Sequence, residues 1–353
     1  MVNIAVLPGD GVGPEVVGQA LRILKALQEK YQLTYTLDTG FIGGSALDKT
    51  GEPFPQATRE LVKKSDAVFL GAVGGPKWDS FPTELRPEKG LLELRKTLGV
   101  YVNLRPVKCW PQLIEQSPFK KERIAGVDLL VVRELLGGAY FGSRGQKQTG
   151  AGMLVFDTIE YSSSEIARTL KAAFELARGR RNKVTSVDKA NVLDTSRLWR
   201  KIAENMVQDY PEISLNHYYV DNCAMQLCLN PAQFDVLVTE NMFGDILSDQ
   251  ASVLGASLGM LPSASIGDKT ALYEPAHGSA PDIAGQDRAN PLAAILSLAM
   301  MLRISLRRED AAQALEKAVD TVLTQGFRTA DIWTEGTNAV GTCAMADAVI
   351  KSL

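Results

Sequence analysis

A chain of 353 residues, 45% hydrophobic and 22% charged, exceeds one ordinary core, so two domains are expected. Its formal net charge of -3 offers no basic surface to a nucleic acid or an acidic membrane. Four cysteines (Cys109, Cys223, Cys228, Cys343) without metal-ligand or redox spacing read as reduced packing thiols of a cytoplasmic-type compartment.

In chain order, residues 4–7 read as a strand stopped at Pro8-Gly9-Asp10, without the basic segment or long apolar run of an export signal. Gly9-Asp10-Gly11-Val12-Gly13-Pro14 imitates a dinucleotide fingerprint. Its spacing, however, is G-x-G-x-G, an acid fills the first gap and a proline follows. A tight turn opening a helix over residues 15–29 is the better expectation. A strand over residues 67–70 comes next. Glu88, Leu91, Leu92 and Arg95 then fall at i, i+3, i+4 and i+7, one helix face. That face suits either an amphipathic core helix or a pocket for a ligand with a branched alkyl group and a carboxylate. Arg105 follows the apolar run 100–104 and precedes Pro106, which places it at a strand end.

Further strand-like runs, 128–132, 184–187, 217–220 and 235–239, alternate with helical periodicity and predict an α/β fold with a largely parallel sheet. Several lead into charges: Arg133-Glu134, Asp188-Lys189 and Asp221. In open α/β sheets ligands bind beyond the carboxyl ends of the strands. Arg95, Arg105 and Arg133 together would suit a dicarboxylate, although each alone is better read as a surface ion-pair partner. Residues 137–152, rich in Gly, Ser and Thr, fit an extended arm or a loop. Asp245 and Asp249 share a helix face at i, i+4, which fits a hard divalent cation such as Mg2+ or Mn2+, or an ordinary acidic face. His217, alone on its strand, reads as a packing residue. Residues 292–302 are the most apolar stretch but fall short of the roughly 20 residues that cross a bilayer. With Asn290 as N-cap and Pro291 at the first helical position they predict a buried helix.

Long blocks of the chain closely resemble the isocitrate/isopropylmalate dehydrogenase family of β-decarboxylating dehydrogenases, in particular its isopropylmalate-oxidising members. They are Leu7-Pro-Gly-Asp-Gly-Val-Gly-Pro-Glu15, Leu70-Gly-Ala-Val-Gly-Gly-Pro-Lys-Trp78, Arg86-Pro-Glu-Lys-Gly-Leu-Leu92, Asn103-Leu-Arg-Pro106, Val187-Asp-Lys-Ala-Asn-Val192, Phe243-Gly-Asp-Ile-Leu-Ser-Asp249 and His277-Gly-Ser-Ala-Pro-Asp-Ile-Ala-Gly285. The resemblance implies a two-domain doubly wound α/β sheet that is not a Rossmann fold, with one domain over 1–100 plus 256–353 and the other over 101–255. It implies a homodimer with shared active sites and an arm after Tyr140. One chain would supply Arg95, Arg105, Arg133, Tyr140, Asp245 and Asp249, with the partner's Lys189 and the partner's Asp221 completing each site.

The implied reaction is NAD-dependent oxidative decarboxylation of (2R,3S)-3-isopropylmalate to 4-methyl-2-oxopentanoate and CO2 in leucine biosynthesis. By the same resemblance, Asp221, Asp245 and Asp249 would hold Mg2+ or Mn2+, Lys189 would take the hydroxyl proton and Tyr140 would protonate carbon. Glu88, Leu91, Leu92 and the three arginines would face substrate. The implied NAD site comprises Asn191, Glu274, His277, Gly278, Ser279, Ala280, Pro281, Asp282, Ile283 and Asn290, with Asp282 rejecting a 2′-phosphate. Leu91 and Leu92 argue against isocitrate, whose third carboxylate needs a polar neighbour. Leu136, Ala139, Gln250 and Gly255 depart from the family pattern, so a paralogue acting on another 3-alkylmalate, tartrate or D-malate is the alternative. A non-catalytic regulatory subunit would be expected to lose metal or proton-transfer residues, which this chain keeps. The expected location is cytoplasmic, or an organelle stroma or matrix if a transit peptide has been removed.

Overall fold

Twelve strands position the site residues of this computed structural model, which describes residues 1–353. In chain order they are β1 (Val2–Gly9), β2 (Tyr35–Thr39), β3 (Ala67–Ala72), β4 (Val102–Lys108), β5 (Asp128–Glu134) and β6 (Arg144–Thr149). There follow β7 (Gly152–Asp157), β8 (Lys183–Asp188), β9 (Ser214–Tyr219), β10 (Val236–Thr239), β11 (Pro262–Ile266) and β12 (Ala271–Pro275). The chain divides into two units, one of Met1–Val100, Cys109–Pro118 and Gly255–Leu353, the other of Tyr101–Lys108 and Phe119–Leu254.

In the first unit the strand order is β2-β1-β3-β12-β11, parallel except for the β11/β12 pair. Every residue of β3 is buried, as expected of a parallel strand covered on both faces. The Leu292–Ile304 helix is buried from Leu292 to Leu302, because a helix that is apolar all round needs cover on every side. It begins one residue later than expected: Pro291 occupies the cap position, and the Asn290 side chain still accepts the Leu292 N–H at 2.9 Å. No helix is long and apolar enough to cross a membrane. Residues 109–118, expected with the second domain, belong to this unit. Gln112 donates to Asp320 and Thr324, and Arg328 donates to the Gln112 carbonyl.

The second unit orders its strands β4-β5-β10-β8-β9, with β4/β5 antiparallel and the rest parallel. Arg105 does not end a strand; it lies within β4, opposite Val131. A proline is tolerated in a strand where its missing N–H is not needed by the ladder, so Pro106 does not terminate β4. β9 ends at Tyr219 rather than Val220, and Val220 opens the Val220–Leu229 helix with Asp221 in its first turn, where the helix dipole favours an acid. The stretch left open between arm and loop is a single turn, Gly138–Tyr140, followed by the antiparallel hairpin β6/β7. Met153, Leu154, Val155 and Phe156 of β7 are all exposed, Val155 by 65%.

Candidate active site

The Asn241–Ser252 helix follows β10 directly, and Glu240 caps it by accepting the Phe243 N–H. One turn apart on this helix stand Asp245 and Asp249, as their spacing required. Arg133, leaving β5 with its side chain 3% exposed, ion-pairs with Asp245, while its Nε and Nη2 both donate to Asn241 Oδ1 at 3.0 and 2.8 Å. Arg105, from β4, reaches Asp249 at 2.7 Å and Ser248 at 2.8 Å, and lies 3.7 Å from Asp245. Tyr140 donates to the other oxygen of Asp245 at 2.8 Å. Burial opposes ionisation of Asp245, but Arg133, Tyr140 and Arg105 outweigh it and hold its carboxyl below the ordinary value. The Tyr140 hydroxyl is pushed up to about 12, by burial first and then by its bond to Asp245. It therefore stays protonated at neutral pH and is available as a proton donor.

Five of the expected residues thus meet: Arg105, Arg133, Tyr140, Asp245 and Asp249. Lys189 and Asp221 form a separate pair, Nζ to Oδ1 at 2.9 Å, and that bond is the leading cause of the depressed Asp221 value. Within one chain no three acid, histidine or cysteine side chains gather as a metal group. The donor chemistry of Asp245 and Asp249, two carboxylates on one helix face, nevertheless suits a hard cation.

In the first unit, Glu88, Leu91, Leu92 and Arg95 lie on the Pro87–Leu98 helix. Leu91 packs against the core cluster around Leu70, Leu94 and Leu272, so the amphipathic reading holds for it; Leu92 is not part of that cluster. Arg95 pairs with Glu274 at 2.9 Å, both nearly buried, while its Nε is buried without a partner.

A cleft of about 440 Å³ in the same unit is lined by His277, Gly278, Ala280, Ile283 and Asn290 of the expected cofactor set. Gly11, in the turn that imitates a fingerprint, has φ +56, and a Cβ there would stand 1.9 Å from the Ser279 carbonyl oxygen. The Val12 N–H donates to that same oxygen at 2.8 Å. The turn therefore seats the 277–283 loop by close backbone approach, and Asp10 anchors it by accepting from Gly44, Ser45 and Gly74. His277 Nδ1 bonds the Gly278 carbonyl, leaving Nε2 buried and unpaired. Asp282 is exposed, and its carboxylate has no partner in the chain. An orphaned ring nitrogen and a free carboxylate on one loop fit a ligand bearing hydroxyl and N–H donors. Ser279, Pro281 and Glu274 are outside the cleft lining, and Asn191 is exposed in the second unit after β8.

Sequence reasoning missed Ser257 and Asp331, which line this cleft and bond each other at 2.6 Å. It also missed Asn241, whose amide joins Arg133 to the Gly137 carbonyl. Gln250, read as a departure, donates to the Ala224 carbonyl at 2.6 Å and so ties its helix to the one carrying Asp221, which a carboxylate could not do.

The family model for isocitrate/isopropylmalate dehydrogenase matches residues 3–349. The chain is 56% identical over 354 residues to a 3-isopropylmalate dehydrogenase of Moorella thermoacetica, covering 100% of this chain and 99% of that protein. It is 54% identical over 352 residues to one of Aquifex aeolicus, covering 99% and 97% respectively. Among solved structures, an isocitrate dehydrogenase from Methylococcus capsulatus superposes with TM-score 0.89 at 34% identity, covering 100% of this chain and 99% of that one.

Proposed function

The chain belongs to the isocitrate/isopropylmalate dehydrogenase family, and from that premise we infer that it oxidises and decarboxylates (2R,3S)-3-isopropylmalate to 4-methyl-2-oxopentanoate and CO2 in leucine biosynthesis, with NAD as acceptor. The observation that carries this reading is the cluster in which Arg105 and Arg133 meet Asp245, Asp249 and Tyr140. It combines guanidinium groups for substrate carboxylates, a carboxylate face for a divalent cation and a phenol held protonated. Leu92, carrying no polar group and lying outside the core cluster, favours an alkyl substituent over the third carboxylate of isocitrate, and each buried CH2 is worth roughly 0.8 kcal/mol.

Mg2+ or Mn2+ held by Asp245, Asp249 and the partner's Asp221 would supply Lewis acidity at the substrate's 2-oxygen. The 277–283 loop, with Asp282 for ribose hydroxyls, would hold NAD, which would supply the hydride acceptor for oxidation at C2. Arg105 and Arg133 bind and orient carboxylate, with Arg95, held by Glu274, offering a third guanidinium. Lys189 accepts the proton of the 2-hydroxyl. The Tyr140 phenol gives its proton to C3 as the C3 carboxylate leaves as CO2, and regains one from solvent. The exposed apolar strand β7 supports a homodimer in which this hairpin is covered and in which Lys189 and Asp221 serve the partner's site. The protein is then cytoplasmic, with no nucleic-acid or membrane partner.

A steady-state comparison of 3-isopropylmalate, longer 3-alkylmalates, D-malate, tartrate and isocitrate, with and without chelator, tests this reading. The highest kcat/KM should fall on 3-isopropylmalate, and chelation should abolish NADH production. A higher kcat/KM for any other diacid would transfer the assignment to that substrate.

A further inference from the structure

Behind the Arg133–Tyr140 cluster lies a buried group that the reaction scheme does not use. Glu134 is 0% exposed and Glu240 6%, and the Tyr161 hydroxyl stands within hydrogen-bond distance of both, 3.2 Å from Glu134 Oε2 and 3.3 Å from Glu240 Oε2. The same hydroxyl oxygen accepts the Asn241 N–H at 3.0 Å. A phenol has one proton, so it can donate to one carboxylate only. Were both acids ionised, the other would face phenolic lone pairs in a buried site, an arrangement that is strongly unfavourable.

The remaining bonds identify where a second proton sits. Both Glu134 oxygens accept backbone N–H groups, from Leu136 and Gly137, and Glu240 Oε1 accepts from Phe243. The Met242 N–H also bonds the Glu240 carboxyl, and at Glu240 Oε2 the Tyr161 hydroxyl is the side-chain partner, 3.3 Å away. A proton on that oxygen donates to Tyr161, whose own proton goes to Glu134, and every polar group in the trio is then satisfied. Burial is the leading influence on both carboxyls and raises them above the ordinary range, consistent with one proton being retained. The charged groups around the trio are Arg168, 3.9 Å from Glu134, Arg133 toward Glu240, and Asp188, which shares a small cavity with Tyr161 and Glu240 and is itself paired with Arg200.

This trio is also the floor under the proposed proton donor. A Cβ on Gly137 would stand 2.5 Å from the Tyr161 ring, and one on Gly138 2.5 Å from its hydroxyl. These glycines begin the turn that ends at Tyr140, and the Gly137 carbonyl is held by Asn241, which also holds Arg133. We propose that Tyr161 is a positioning residue for Tyr140, and that Glu134, Tyr161 and Glu240 share a single carboxyl proton, carried by Glu240, that keeps this seat intact. The catalytic half of the proposal rests on the reading of Tyr140 as proton donor; the shared proton does not.

The test compares wild type with Tyr161→Phe, Glu240→Gln and Glu134→Gln in three readouts: steady-state kinetics, first-turnover NADH formation, and the infrared stretch of protonated carboxyl at neutral pH. A displaced Tyr140 slows carbon protonation after hydride transfer. Tyr161→Phe should therefore keep a rapid first-turnover burst of NADH while kcat falls about 10–100-fold, part of what a positioned acid supplies, with both KM values within about 3-fold. Glu240→Gln, a neutral mimic, should keep kcat within about 3-fold and lose the infrared band. Glu134→Gln, which puts an NH2 against backbone N–H groups, should lose kcat at least about 10-fold and keep the band. Wild-type kcat in Tyr161→Phe, a loss without burst, or a band that survives Glu240→Gln would overturn the proposal. If Tyr161→Phe does not fold, the contrast between the two Gln variants decides. If wild type makes no NADH from 3-isopropylmalate, the functional reading fails, while the infrared contrast still decides the shared proton.

Discussion

Substituting Gly11 by Ala isolates what the first turn does. The new Cβ would meet the Ser279 carbonyl oxygen at 1.9 Å and its carbon at 2.7 Å, both backbone, at a residue with φ +56. The left-handed conformation costs an L-residue about 1–2 kcal/mol. Moving the Ser279 carbonyl away also breaks its bond from Val12, worth about 0.5–1.5 kcal/mol. Relief comes most readily from shifting the 277–283 loop, and cofactor binding must then restore it. Together these are about 1.5–3.5 kcal/mol, so at a factor of ten per 1.4 kcal/mol KM for NAD should rise about 10–300-fold while kcat stays within about 3-fold. The control is Gly18→Ala in the Gly13–Tyr31 helix, where a Cβ meets nothing within 4 Å and helix propensity improves by about 1 kcal/mol. Initial-rate kinetics at varied NAD and saturating 3-isopropylmalate provide the assay. A wild-type KM for NAD in Gly11→Ala, or an equal rise in Gly18→Ala, would refute the idea that this turn seats the cofactor loop.

Two further outcomes follow. Val155→Asp places a charge on the exposed apolar face of β7; sedimentation should show monomer in place of dimer, with activity reduced at least about 10-fold, whereas an active dimer would remove the arm from the interface. His217 on β9 is held below its ordinary 6.5 by burial first and by Arg200. The unfolded chain therefore binds a proton that the folded chain resists, so stability should decline as pH falls below about 6.5. Urea titrations of His217→Gln should show a shallower decline over that window.

The sequence made legible what repeats locally. Asp245 and Asp249 one turn apart, the Glu88–Arg95 helix face, and the apolar run that became the Leu292–Ile304 helix are all periodicity arguments. Arg105 was misplaced because Pro106 looked like a strand end, and a ladder position that needs no N–H is invisible without the partner strand. Asn241 and Tyr161 were missed, and the role of Gln250 was not seen, for a different reason. They act through bonds to residues far away in the chain, such as Asn241 to Gly137 and Arg133, and no spacing pattern marks a side chain whose partner is a distant carbonyl. Resemblance to known blocks supplied the pairing of Lys189 with Asp221 as site residues; composition and spacing offered only charges at strand ends.

The most direct test of a site shared between two chains mixes two inactive variants, Lys189→Ala and Asp245→Asn, after dissociation and reassociation. If Asp245 of one chain works with the partner's Lys189, each heterodimer contains one intact site, and a statistical mixture should recover about a quarter of wild-type NADH production from 3-isopropylmalate. No recovery above the separate variants, with heterodimer formation verified by a size-tagged chain, would contradict the shared site and place Lys189 and Asp245 of each site in the same chain.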